Sequence, residues 1–180
     1  MIPSGGTAAD LRALLSQESC YVMPCCFDAL SARIVEQAGC PLIFMSGFSV
    51  AAARAGLPDT DLLTVTEMLD QGPHLCDAIS IPVIGDFDTG HGNAANVQRT
   101  IHQFKQAGFA GIMLEDQLSP KRFGHTGVKE VVPRDVAIER ISAAVEAHRQ
   151  GDSFVIMART DARSAFAERY GEERALDEAL

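Results

Sequence analysis

Two carboxylates one residue apart, Asp86 and Asp88, stand in Asp86-Phe87-Asp88-Thr89-Gly90, directly after the apolar run Ile81-Pro82-Val83-Ile84-Gly85. In a strand alternate side chains share a face, so the two acids are expected to project together. Converging carboxylates repel unless a cation lies between them. A hard, oxygen-seeking ion such as Mg2+ neutralises the pair and keeps waters that a substrate can replace. The competing reading is a turn with solvated acids. Two further groups follow apolar runs downstream: Glu115 in Leu114-Glu115-Asp116-Gln117 and Arg159 in Ala158-Arg159-Thr160-Asp161. Three carboxylates make a Mg2+ cradle, and an arginine fork opposite them suits a substrate carboxylate or a developing enolate oxygen. Taken singly, Glu115 and Arg159 read equally well as a structural ion pair. Between them lies Pro120-Lys121-Arg122-Phe123-Gly124-His125-Thr126. This glycine-hinged, cationic stretch suits a lid over a bound anion, or a plain surface loop.

The elements that must position these groups alternate in type. Strands are expected at Tyr21–Pro24, Leu42–Met45, Pro82–Asp86, Gly111–Glu115 and Phe154–Arg159. Helices are expected over Ala29–Ala38, from near Thr66 to Ser80, over Asn93–Ala107 and Arg134–Gln150, and from Gly171 to Leu180. Uniformly apolar strands alternating with amphipathic helices mark a parallel α/β architecture. A (β/α) barrel and an open doubly wound sheet both fit that alternation. Polar residues stand at the ends of the second to fifth strands, which favours a barrel whose loops build one site over a sheet with a single switch-point crevice. No dinucleotide-binding glycine fingerprint is present. A closed (β/α)8 barrel takes eight strands and about 250 residues, so five strands in a single 1–180 domain read as a barrel cut after the fifth strand.

Composition narrows the partners. The 180 residues are 47% hydrophobic and carry a net charge of −9, which argues against nucleic-acid or anionic-membrane surfaces and for small-molecule partners. No apolar run approaches the ~20 residues of a membrane span, and no signal-peptide pattern opens the chain; a cytoplasmic location is the default expectation, with an organellar matrix as the alternative. Five cysteines, odd in number and without metal-ligand spacing, read as reduced thiols.

These motifs together resemble the isocitrate lyase and phosphoenolpyruvate mutase superfamily. The resemblance runs from Phe27-Asp28-Ala29-Leu30-Ser31-Ala32 through Ser46-Gly47-Phe48, Gly56-Leu57-Pro58-Asp59 and the three acidic and basic motifs above. It is strongest to the branch of methylisocitrate lyase, dimethylmalate lyase and oxaloacetate-cleaving enzymes. It implies a TIM-type barrel, Mg2+ (or Mn2+ in its place), an enolate intermediate, a small carboxylic-acid substrate, and a homotetramer exchanging a C-terminal helix. Residue by residue it implies that Ser46, Gly47 and Phe48 contact the substrate and that Asp59 positions it or moves a proton. Asp86, Asp88 and Glu115 would hold the metal, partly through water. Lys121, Gly124 and His125 would belong to a gating loop, and Arg159 would clamp the enolate and carboxylate. One departure stands out: where lyase members carry a loop Cys that protonates the departing carbanion, this chain has Phe123. A phenyl ring transfers no proton. Three readings follow: a Mg2+-dependent carbon-carbon lyase; a decarboxylase, hydrolase or phosphonomutase on the same site; or a non-catalytic metal- and carboxylate-binding homologue.

Overall fold

Five short strands lie side by side, all parallel, in a computed structural model that describes residues 5–122, 129–148 and 153–180. They are Cys25–Cys26 (β1), Ile43–Met45 (β2), Val83–Asp86 (β3), Gly111–Glu115 (β4) and Val155–Arg159 (β5). Their spatial order is β1-β2-β3-β4-β5, and the register pairs Cys25 with Phe44, Met45 with Gly85, Asp86 with Met113 and Glu115 with Arg159. A doubly wound sheet reverses its strand order at a switch point; this one never does, so it is an arc of a (β/α) barrel.

The strands have two buried faces because two different sets of side chains alternate along them. One face, with Phe44, Ile84 and Val155, gathers with Leu42 around Leu11 of the first helix, α1 (Ala8–Leu15). The other, with Ile43, Met45, Val83, Ile112 and Leu114, lies under the helices. Asp86 follows Ile84 by two residues and Glu115 follows Met113 by two, so both leave the sheet on the α1 side, the inside of the arc.

The helices are fixed by caps and apolar spacing. After α2 (Ala29–Gln37), α4 (Val65–Cys76) starts on Thr64 in a capping box with Glu67 and buries Met68, Gly72, Leu75 and Cys76. Helix α5 (Ala94–Gln106) starts on Asn93, whose side chain accepts from the Ala95 and Asn96 N–H groups, and buries Val97, Thr100, Ile101 and Phe104. Phe104 meets Phe87 edge-on at 5.2 Å and Phe109 at 4.8 Å. A Cβ on Gly85 would lie 2.8 Å from the Phe104 ring, so only glycine lets β3 approach that cluster. Helices α6 (Arg134–His148), α7 (Ala162–Tyr170) and α8 (Glu172–Ala179) complete the outer layer.

The first strand sits later than the sequence suggests. Its ladder opens where Phe44 N–H donates to the Pro24 carbonyl, and the expected strand residues Tyr21 and Met23 instead pack against the inner cluster. Two segments with no expected element are helical: Gly47–Val50 (α3) runs into a π turn, Ala51–Ala55, and α7 follows β5 directly. Helix α1, unanticipated, plugs the bottom of the arc, with Arg12 donating to the Ser153 and Phe154 carbonyls. Among the described residues no helix is long and apolar enough to cross a membrane.

Candidate active site

Strand β3 ends at Asp86, and the chain then turns through Asp88, which has a left-handed φ of 47°. Asp tolerates that region because its short carboxylate can bond locally. Strand alternation therefore does not bring Asp86 and Asp88 together, contrary to expectation; the turn does. Asp88 N–H donates to Asp86 Oδ1 at 3.2 Å, and Gly47 N–H donates to Asp86 Oδ2 at 2.9 Å. A Cβ on Gly47 would come within 3.0 Å of the same oxygen. Burial, with the Asp88 charge adding to it, pushes the Asp86 pKa up to about 7. Among the described residues it has no ion-pair partner.

Asp88 has one. The ammonium of Lys121 lies 2.6 Å from Asp88, 3.0 Å from Asp59, 3.6 Å from Glu115 and 3.7 Å from Asp61, with its side chain only 4% exposed. The Lys121 backbone N–H also donates to Asp61. Burial works against the ammonium, but the surrounding carboxylates outweigh it and raise its pKa, so it stays charged. Its segment leaves a fixed base: Gln117 and Val131 pair across the loop, and Leu118 N–H donates to the Glu130 carbonyl.

Glu115 and Arg159 stand in register on β4 and β5, with the guanidinium 3.2 Å from the carboxylate. Burial pushes the Glu115 pKa up, against the pull of Lys121 and Arg159. Behind them lies a second tier of contacts. Buried Asp161 takes Arg159 at 3.0 Å, Lys129 at 2.6 Å and the Gln117 amide at 2.9 Å, and that amide also donates to Glu115 at 2.9 Å. Asp116 turns away from the cluster and ties β4 to β5, accepting from Thr160 at 2.5 Å and from Asp161 N–H at 2.8 Å.

A cavity of about 180 Å³ opens among these groups, lined by Ser46, Phe48, Asp59, Asp86, Glu115, Lys121 and Arg159, with Phe44 and Met113 supplying apolar wall. Of the expected site residues, Ser46, Phe48, Asp59, Asp86, Glu115, Lys121 and Arg159 thus meet at one place, with Asp88 against Lys121. Gly47 does not line the cavity, and its N–H serves Asp86 and is not free for a substrate carboxylate. Phe123, Gly124 and His125 lie outside the described residues. Among the described residues no three His, Cys, Asp or Glu side chains close into a metal cage; the Lys121 ammonium lies where the three-carboxylate cradle was expected. The residues still suit Mg2+, which keeps several waters and needs one or two direct carboxylates. Asp86 is a desolvated hard-oxygen donor with no ion-pair partner among the described residues, and Asp88 and Glu115 add their charges beside it.

Four participants escaped sequence reasoning: Asp61, Gln117, Lys129 and Asp161. Three carried a usable signal. Asp59/Asp61, Glu115/Gln117 and Arg159/Asp161 repeat the one-residue spacing of Asp86/Asp88.

The family described as phosphoenolpyruvate phosphomutase matches residues 11–180. Over 174 residues the chain is 41% identical to 2,3-dimethylmalate lyase of Eubacterium barkeri, covering 97% of this chain and 57% of that protein. Oxaloacetate acetylhydrolase in complex with 3,3-difluorooxalacetate superimposes with a TM-score of 0.85 at 35% identity, covering 100% of this chain and 63% of the other. Phosphonopyruvate hydrolase in complex with oxalate and Mg2+ gives 0.80 at 32% identity, covering 97% and 60%. The chain thus spans about half the length of the curated relatives it matches, and about three fifths of the solved structures.

Proposed function

The chain belongs to the phosphoenolpyruvate phosphomutase family, and from that premise we propose that it is a Mg2+-dependent carbon-carbon lyase. Its substrate would be a small 2-hydroxy or 2-oxo di- or tricarboxylate, and one product a 2-oxo acid. The observation that carries this reading is the meeting of Asp86, Glu115 and Arg159 from three neighbouring strand ends around one cavity, with Lys121 and Asp59 facing them. The Mg2+ in the related phosphonopyruvate hydrolase supports the metal assignment.

The cavity's charges match such a substrate. Arg159, its guanidinium held by Glu115 and Asp161, offers a planar fork to a substrate carboxylate. Asp59 is placed to take the proton of a substrate hydroxyl. As that O–H pair becomes the new C=O, the broken carbon-carbon pair passes to the departing fragment, whose carboxylate spreads it as an enolate, and a proton must then be added. Arg159 and Lys121 offset the negative charge during the step, in a pocket whose apolar walls Phe44 and Met113 limit water. Asp86, with Asp88 and Glu115 beside it, would hold Mg2+, which when bound would supply Lewis-acid stabilisation of that charge.

Phe123 favours a second reading, decarboxylation or hydrolysis of oxaloacetate or chemistry at a phosphonate, because the usual thiol proton donor is missing from its place. Incubation with Mg2+ and 13C-labelled alkylmalates, methylisocitrate, oxaloacetate and phosphonopyruvate, followed by NMR, separates the readings. The lyase reading expects a 2-oxo acid and a carboxylic acid from an alkylated substrate. Turnover confined to oxaloacetate or phosphonopyruvate would replace it with the second.

A further inference from the structure

The Lys121 ammonium has more anionic company than a single ion pair needs. It donates to Asp88 at 2.6 Å and lies 3.0 Å from Asp59, 3.6 Å from Glu115 and 3.7 Å from Asp61. Its side chain is almost wholly buried, and its own backbone N–H is anchored on Asp61. Two of those carboxylates, Asp88 and Glu115, are the ones assigned above to the divalent cation. The third metal residue, Asp86, has no cation among the described residues. The cluster is thus arranged around an ammonium at one side and left electrostatically short of positive charge at the other.

We infer that Lys121 is the resident counter-cation of this cluster and competes with the divalent metal for Asp88 and Glu115. The inference rests on the metal reading of the site and deepens it. A divalent ion entering beside Asp86 adds positive charge to a buried cluster that already holds an ammonium, where water screens poorly. Binding therefore proceeds at the expense of the Lys121–Asp88 bond. By linkage the effect is reciprocal: the ammonium weakens the metal, and the metal loosens the ammonium. Without metal, Lys121 keeps Asp59, Asp61 and Asp88 from repelling one another, while Glu115 also has Arg159. With metal, the freed ammonium remains at the cavity edge as a mobile cation for an incoming carboxylate. Metal loading and substrate recognition are in this way coupled through one side chain.

Mn2+ serves as the probe, its affinity read by calorimetry and electron paramagnetic resonance without substrate. Lys121→Met is expected to bind Mn2+ more tightly, by something in the range of about 5- to 150-fold typical of coupled sites, and to melt at a lower temperature than the natural chain when metal-free. Lys121→Arg keeps the charge and is expected to bind like the natural chain. In the natural chain, Lys121 is expected to resist reductive methylation without metal and to become modified when Mn2+ saturates the site. That last measurement needs no variant and decides the matter if Lys121→Met fails to fold. Equal Mn2+ affinity in the natural and Met chains, equal tightening by Arg and Met, or unchanged methylation would each overturn the competition. If Mn2+ binds in an Asp86-dependent way while Lys121 has no effect, the metal reading stands and only the competition falls; if no Mn2+ binds to any chain, both fall together.

Discussion

Among the described residues Asp86 is the carboxylate of the cluster without an ion-pair partner, and its substitution is the sharpest probe of the metal at the level of single residues. Asp86→Ala is expected to abolish Mg2+-dependent activity while the fold, read by circular dichroism, persists; full turnover of that variant in a chelator would contradict the assignment. Phe123→Cys is expected to raise lyase turnover by about 10^2- to 10^4-fold, the usual reach of general acid catalysis, while changing oxaloacetate decarboxylation far less. Efficient lysis by the natural chain with no gain from Cys would show that another group or a water donates the proton. Burial pushes the Cys76 thiol up to about 12, so it stays protonated at any working pH. At pH 8 iodoacetamide is expected to label exposed Cys20 in the native protein and Cys76 only after unfolding. The meeting of Asp86, Glu115 and Arg159 was legible in the sequence because charged residues recur directly after successive apolar runs, and in a parallel arc those strand ends lie at one rim. The cause of the Asp86–Asp88 approach was not, since a left-handed φ at Asp88 leaves no mark that alternation could reveal. Nor was the burial of Lys121 among four carboxylates, which come from three separate segments.

At the level of elements, the helical layer owes its position to the aromatic cluster under α5. Phe104 is fully buried between Phe87 and Phe109, and Phe104→Ala is expected to destabilise the protein by about 3–5 kcal/mol in denaturant titration. Asn93→Ala, which removes a cap and no packing, is expected to cost about 1 kcal/mol. A loss from Asn93→Ala as large as that from Phe104→Ala would show that the loop after β3 depends on the cap more than on the core. Strands β2 to β5 were readable from their short apolar runs, helices α2, α4 and α5 from their apolar spacing, and α6 and α8 from stretches rich in helix formers. Helix α7 was missed because its sequence, rich in Arg and Ala, carries no clear apolar stripe. Helix α3 was missed because four residues are too few for any period to show. The first strand was placed too early because Tyr21 and Met23 are apolar for a different reason: they cover the inner cluster that Leu11 plugs.

At the level of the whole molecule, five strands in unbroken order form an arc, and its edges β1 and β5 each have a single neighbour among the described residues. Beside β5 an apolar groove of about 460 Å³ runs between α6, α7 and the end of α8. Open strand edges recruit partners, so the 180-residue chain is expected to associate in light scattering; a cooperative melt from a monomer would contradict this. The central claim is that the inner ends of β3, β4 and β5 form one site for a metal and the enolate of a 2-oxo acid. Oxalate, a planar dianion, has the shape and charge of such an enolate. Calorimetry of oxalate with and without Mg2+ therefore tests the claim most directly. Binding is expected with Mg2+ present, and its loss is expected when the metal is chelated or when Asp86→Ala or Arg159→Met is introduced. Oxalate binding that is indifferent to Mg2+, to Asp86 and to Arg159 would contradict the account.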